Sequence, residues 1–567
     1  MAVISGGELL AKCLREYGIK KIFAIPDGTY NIMFKWMRDE GVKAGMAFIT
    51  PRHEAAGAHM ADGWYRVTGQ PAVVMAGAGP GVANLISGVI TAHAEDIPML
   101  AITTHRRSEV IDPPRGAMQV FDQAGIFQPV TKLSATVHHW KRIPELIGLA
   151  IRTAVAGIPG PVHLTIPEDI MNERREENEV PGPLTLAVPP SPGGDPAAVE
   201  AAARLLMEAQ SPFIHAGAAV VRSGAEGELR ALAEYLGLPV TMTPGGRGAI
   251  PEDHPQAFPT LCIPARVALA QSDLVLALGV RFGELDFWGK APLWGPSTQE
   301  VIQVHIAPER IGVNRPVRQA IVGGMRPVLG QLLEAVRSLT PRRPLQERIG
   351  QLKGLEKIWQ EDLKKKFASD AYPMLTGRLI KEVRDYFPRE TVMVLDGGNT
   401  TLWGVHFNMI YEPRTLLWTS EFGHLGTGLP YAMGAKLAFP DRPVCLISGD
   451  SAFGFNIQEL ETARRHGINI VAIINVDGAW GMECASQKRI FGDEGYINCE
   501  HSPVRYDRVA KVMGCHGEFI SRPEEIRPAL DRCLASNLPA VIHAEVDARA
   551  NINPPGMELW VGSHAAH

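Results

Sequence analysis

The stretch that most constrains this chain is residues 446–482, LISGDSAFGFNIQELETARRHGINIVAIINVDGAWGM. An apolar run over 444–448 drops into Gly449-Asp450-Ser451, a helix-like segment follows, and a second apolar run over 468–474 ends at Val476-Asp477-Gly478. Two strand-length runs around one helical segment make a βαβ unit with an acid just past each strand's carboxyl end. Parallel strands joined by a right-handed crossover bring those ends side by side, so Asp450 and Asp477 can reach one cation. The small residues Ser451 and Ala452 leave backbone N–H groups at a helix N-terminus open to phosphate. A few protein oxygens plus a diphosphate is the usual way to hold Mg²⁺. A lone Asp after a strand is ordinarily a cap or turn residue. Two of them, one crossover apart and each beside a glycine, point to a site.

With 567 residues, several domains are expected. The net charge of −5 gives no basic footprint, which argues against nucleic acid. No apolar run approaches ~18 residues, so no membrane span is expected. The N-terminal residues carry no basic leader, and seven scattered cysteines without CxxC pairs suit a reducing cytoplasm.

Helical and strand patterns alternate throughout. KKIFA, AVVMA, PMLAITT and PVHLTIP read as strands in residues 1–181; a Pro- and Gly-rich linker covers 180–194. FIHAGA, PVTMTP, LVLALGV and EVIQVHI follow in 195–339, and a charged helix over 342–366 leads to VMVLDGG, VCLISGD, IVAIINVDG and AVIHAEV in 368–548. Such alternation gives an α/β fold of three doubly wound parallel-sheet domains in tandem. A polar tail with an apolar end, 549–567, reads as a disordered terminus or a lid over the site.

Gly449-Asp450-Ser451, 24 residues, then Val476-Asp477 resembles the thiamine-diphosphate motif, Gly-Asp-Gly followed by roughly two dozen residues and Asn-Asn. Ser451 and Asp477 are departures from it. The resemblance is to enzymes of the acetolactate synthase, 2-hydroxyacyl-CoA lyase and oxalyl-CoA decarboxylase type. It implies pyrimidine-binding, Rossmann-like middle and diphosphate-binding domains, with thiamine diphosphate and Mg²⁺ as cofactors. Asp450, Asp477 and the carbonyl of Ala479 would be the metal ligands, and Gly449, Asp450, Ser451, Ala452, Asp477 and Met482 would line the cofactor.

Glu54, in PRHEAAGAHMADGW at a strand-to-helix junction, resembles the glutamate that contacts the aminopyrimidine ring in that family, across a subunit interface. Burial there would raise its pKa and suit it to proton exchange, while the helix dipole alone would also favour an acid at that point. Leu425, 25 positions before Asp450, stands where the family carries the residue that props the cofactor into a V shape, and Gly423 would offer a carbonyl to its amino group. Asn399 and Thr400, in DGGNTT, resemble the donors of the second diphosphate loop. Gln119 occupies the place of a substrate-side amide. Glu494 and His424 are candidate proton donors, with a solvated face and a structural histidine as their plainer readings.

The resemblance implies ylid addition to a carbonyl and an enamine intermediate. The expected reaction is carbon–carbon bond cleavage or formation of the 2-hydroxyacyl-CoA lyase type; the alternative is an acetolactate-synthase-like carboligase on pyruvate or another 2-keto acid, or a flavin-linked 2-keto acid oxidase. FAD is possible but not favoured, since no clear flavin loop is seen, and ADP or CoA could sit in the middle domain, with Arg247, Arg281 and Arg414 as phosphate contacts. A homodimer would be the minimal active unit and a homotetramer the expected assembly.

Overall fold

The computed structural model describes residues 3–179, 190–258, 262–291, 293–339, 346–492, 495–548 and 554. Three six-stranded parallel sheets carry the chain, with a small antiparallel pair, Val3–Ser5 and Arg174–Glu176, beside the first. The expected tandem α/β architecture is therefore what the chain builds. Numbering the strands of each sheet in chain order, the first and third sheets share the order 2-1-3-4-6-5, and the middle sheet runs 3-2-1-4-5-6. The middle order is that of the dinucleotide-binding Rossmann fold, in agreement with the Rossmann-like expectation.

In the third sheet, Val392–Asp396, Val444–Gly449 and Val471–Val476 lie next to one another. Each is an almost unbroken apolar run because helices cover both faces of a parallel sheet. Their register pairs Asp396 with Ser448, Ser448 with Ile474 and Gly449 with Asn475, so the three chains leave the sheet at one level. The chain reverses its direction of winding between the first two of these strands, the point at which ligands settle in open α/β sheets.

The first and third domains share one hydrophobic core. Its centre is the crossing of two helices, Glu54–Thr68 (the Glu54 helix) and Gly428–Ala438. Glycines set how closely they approach. A Cβ on Gly63 would lie 2.5 Å from the carbonyl oxygen of Tyr431, and one on Gly434 would lie 2.2 Å from that of Met60. Around the crossing, Arg66 and Tyr431 both reach the buried Asp62 carboxylate, at 2.6 Å each.

Candidate active site

The ends of the three strands open into a cavity of about 450 Å³. It contains Asn399, Thr400, Gly423, His424, Leu425, Gly449, Asp450, Ser451, Ala452, Asp477, Ala479 and Met482, so most of the expected cofactor contacts come together. Asp450 Oδ1 accepts the Ser451 N–H at 2.8 Å and Oδ2 the Gly478 N–H at 2.9 Å, while Asp477 accepts from Ala479 at 3.2 Å. Burial, and next the Asp477 carboxylate beside it, hold Asp450 well above the usual carboxylate range. Two acids forced together in this way favour a cation between them.

The walls fit a diphosphate ester. Asn399 Oδ1 and Thr401 Oγ1 are buried with no hydrogen-bond partner. Gly397, at φ +105°, brings the loop backbone against Gly449, and a Cβ on Gly398 would meet Met482 Cβ at 3.0 Å. An approach this close leaves only the main chain lining that side, as phosphate binding by backbone N–H groups requires. Leu425 is half-buried on the cavity wall and belongs to none of the core clusters. Gly423 turns at φ +65°, a conformation that favours glycine.

Some contributions are not visible in the sequence. Asp396 closes the loop between Leu425 and the helix by accepting the N–H groups of Gly426 at 3.2 Å and Gly428 at 2.8 Å; burial pushes it up to about 6. Ser451 Oγ donates to the Ala479 carbonyl at 2.8 Å and meets His501 Nε2 at 2.8 Å. The serine departure thus supplies a hydroxyl that His501 meets. Its only sequence signal was Ser451 itself, 50 residues away. His424 Nδ1 contacts Thr91 Oγ1 at 2.6 Å, and burial lowers its pKa, which keeps the ring neutral at pH 7.

Glu54 lies outside this cavity. It is the first residue of its helix, half-buried, and accepts from Asn84 Nδ2 at 3.1 Å. Gln119, exposed at φ +68°, packs on Gly79 at the start of the helix Pro80–Ala94 (the Pro80 helix), and Gly81 in that helix makes room for the Glu54 carboxylate. Glu54 and Gln119 therefore form one group and the aspartates another. Glu494 and the tail 549–567, apart from Pro554, lie outside the described residues.

Two of the three expected phosphate-binding arginines are otherwise engaged. Arg247 is buried, with Glu252 on one side and the carbonyls of Val405 and Asn408 on the other. Arg414 donates to the carbonyls of Arg66 and Arg222. Both tie domains together, which corrects the expectation for them. Arg281 pairs with Glu421 at 2.7 Å in the interdomain cleft.

Comparison with known proteins agrees with this division. Residues 4–126 match the model of the thiamine pyrophosphate enzyme N-terminal TPP binding domain, 199–332 its central domain and 396–544 its C-terminal TPP binding domain. A probable acetolactate synthase large subunit of Methanocaldococcus jannaschii is 32% identical, over 98% of this chain and 94% of its own. An acetolactate synthase large subunit of Mycobacterium tuberculosis is 32% identical over 95% of both chains. The large subunit of acetolactate synthase isozyme 3 of Escherichia coli is 28% identical over 99% of both.

Proposed function

This chain belongs to the thiamine pyrophosphate enzyme family and is a thiamine-diphosphate-dependent carboligase of the acetolactate synthase type; on that premise we propose that its donor substrate is a small 2-keto acid such as pyruvate. The relatives favour the carboligase over the 2-hydroxyacyl-CoA lyase that the motifs first suggested. The relatives carry the choice of substrate: those named are acetolactate synthases. Within the cavity, Trp480, Met482 and Leu425 give walls suited to a small acyl group.

Thiamine diphosphate, when bound, supplies a carbon nucleophile and an electron sink. Asp450, Asp477 and the Ala479 carbonyl would hold Mg²⁺, and Asn399 and Thr400, with Thr401, would receive the diphosphate. Asp477 brings a negative charge where the family motif has an amide, so the pair would attract a divalent cation more strongly by charge. Gly423 and Leu425 would orient the pyrimidine. Glu54 of the partner subunit would hold and return the proton at its ring nitrogen, with Gln119 alongside on the substrate side. That arrangement would make a dimer the smallest active unit; a tetramer remains the assembly we propose from the family resemblance. Glu494 and the tail would complete the mouth of the site. A phosphate-bearing cofactor such as FAD or ADP would lie in the middle-domain cleft beside Arg222 and Arg281.

The test is incubation of the purified protein, with thiamine diphosphate and Mg²⁺, against a panel of 2-keto acids and 2-hydroxyacyl-CoAs, with products read by mass spectrometry. Carbon dioxide and a ligated hydroxyketo product from keto acids alone are expected. Turnover confined to the CoA esters would overturn the reading.

A further inference from the structure

Two buried glutamates reach across between the first and third domains, in opposite directions. Glu459, on the helix Glu459–His466 of the third domain, is 0% exposed. Its carboxylate accepts the Arg52 N–H at 3.0 and 3.2 Å and the Thr462 hydroxyl at 2.7 Å, and also receives the His53 N–H. It therefore grips the turn that leads directly into Glu54. Glu95, at the end of the Pro80 helix of the first domain, is 5% exposed. Its Oε1 accepts the N–H groups of Glu421 at 2.7 Å and Phe422 at 3.1 Å, while Oε2 faces Arg66 at 3.3 Å. Arg66 also donates to the Trp418 carbonyl at 3.0 Å. The first domain thereby grips the loop that carries Gly423 and Leu425.

Burying a carboxylate is expensive, and an apolar side chain of similar volume stabilises a fold as well or better. What a buried carboxylate adds is direction: two acceptor oxygens that fix particular N–H groups of a loop with no ladder to hold them. The neighbouring acid does something different. Asp96 turns to φ +55°, which carries its side chain away from Glu95 and toward Arg310 of the middle domain, at 3.2 and 3.3 Å. Adjacent residues thus serve different interfaces, and only Glu95 touches the site loop.

We infer that Glu459 and Glu95 are reciprocal positioning residues: the third domain sets the turn that delivers Glu54, and the first domain sets the loop that delivers Gly423 and Leu425. The inference rests on the reading of Glu54, Gly423 and Leu425 as cofactor contacts. Each half of the site is aligned by the domain that forms the other kind of half.

The experiment compares wild type, Glu459→Gln, Glu95→Gln and the control Asp96→Asn. Glutamine keeps the size and leaves one acceptor oxygen where there were two. Three readouts are taken: amide hydrogen exchange of residues 50–56 and 419–425 without ligand, thiamine diphosphate affinity by calorimetry, and proton–deuteron exchange at the thiazolium C2 of the bound cofactor. A misplacement of ~1 Å costs on the order of 100-fold in a catalytic step. Glu459→Gln should therefore slow C2 exchange at least about tenfold and leave affinity within about threefold. Glu95→Gln should weaken affinity by about tenfold and deprotect 419–425. Asp96→Asn should lower thermal stability and leave both cofactor readouts at wild type. Wild-type C2 exchange in both glutamine variants, or an Asp96→Asn defect equal to that of Glu95→Gln, overturns the inference. Should a glutamine variant not fold, the wild-type amides decide: rapid exchange at residues 52, 421 and 422 overturns it. Failure of the wild type to bind thiamine diphosphate refutes the underlying reading instead, which the amide data do not touch.

Discussion

Asp477 stands where the family motif has an amide, and with Asp450 it gives the cavity a pair of acids that only a cation reconciles. Asp477→Ala should remove most of the rise in melting temperature that thiamine diphosphate plus Mg²⁺ gives the wild type, since ligand at about 100 times its dissociation constant stabilises by ~2.7 kcal/mol and a hundredfold weaker site forfeits most of that. Differential scanning fluorimetry reads it directly. Glu54→Gln should keep cofactor affinity and lower turnover by about 10²–10⁴-fold, as for loss of a general acid–base group. Glu459 allows a pH test of the ligand-free protein. Burial raises it to about 7 from an ordinary 4.5, so the folded state holds its proton more tightly than the unfolded state does. The stability it contributes is complete below about pH 4.5 and is lost as pH rises through about 7. Melting temperature followed from pH 5 to 8 should therefore fall less steeply in Glu459→Gln than in wild type. The aspartates, Leu425 and Asn399 were legible because each sits just past a strand or beside a glycine, where chain pattern and chemistry coincide. Glu95, Glu459 and His501 were not, because their work is done on segments 326, 407 and 50 residues distant, and nothing local marks an acid or a histidine for that purpose.

Among the elements, the strands that the apolar runs identified are mostly the inner ones, such as Leu274–Leu278 and Val471–Val476. Four that they missed are Ala257–Phe258, Gln319–Val322, Leu416–Leu417 and His516–Ile520, and every one of them lies at a sheet edge. An inner parallel strand is covered on both faces and must be apolar throughout, whereas an edge strand pairs on one side only and can be short or mixed. The helix crossing was equally hidden, since Gly63 and Gly434 look like ordinary helix interruptions until the two segments meet. Gly434→Ala should destabilise the protein by about 2–4 kcal/mol, because the new methyl would meet backbone and the helices would have to separate. Urea unfolding measures that loss, and a variant as stable as wild type would show that the helices part at little cost.

At the scale of the molecule, the group around Glu54 and the cavity around Asp450 occupy separate parts of one chain, and the assembly prediction follows. Glu54→Gln and Asp477→Ala should each be nearly inactive. Mixed, dissociated and reassociated, they should recover up to about a quarter of wild-type activity, since half the dimers are then mixed and each mixed dimer holds one intact site. No recovery, with mixed dimers verified by mass spectrometry, would place the whole site within one chain. Three domains in tandem could be read from alternation alone, but their docking could not, since it rests on side chains such as Arg247 and Arg414 that bond to backbone far away in sequence. The crossing of the two glycine-bearing helices then acquires a mechanical meaning. Glu54 stands nine residues from Gly63, and Leu425 stands nine from Gly434. The crossing is a pivot for both, with the chain helical all the way to Glu54 and helical as far as Gly428 on the Leu425 side. With a rise of ~1.5 Å per residue the Glu54 arm is about 13 Å, so a turn of only ~4° at the pivot swings its tip by ~1 Å. On the proposed role of Glu54, catalytic tolerance would be an angular tolerance of a few degrees, enforced where two glycines let two backbones touch.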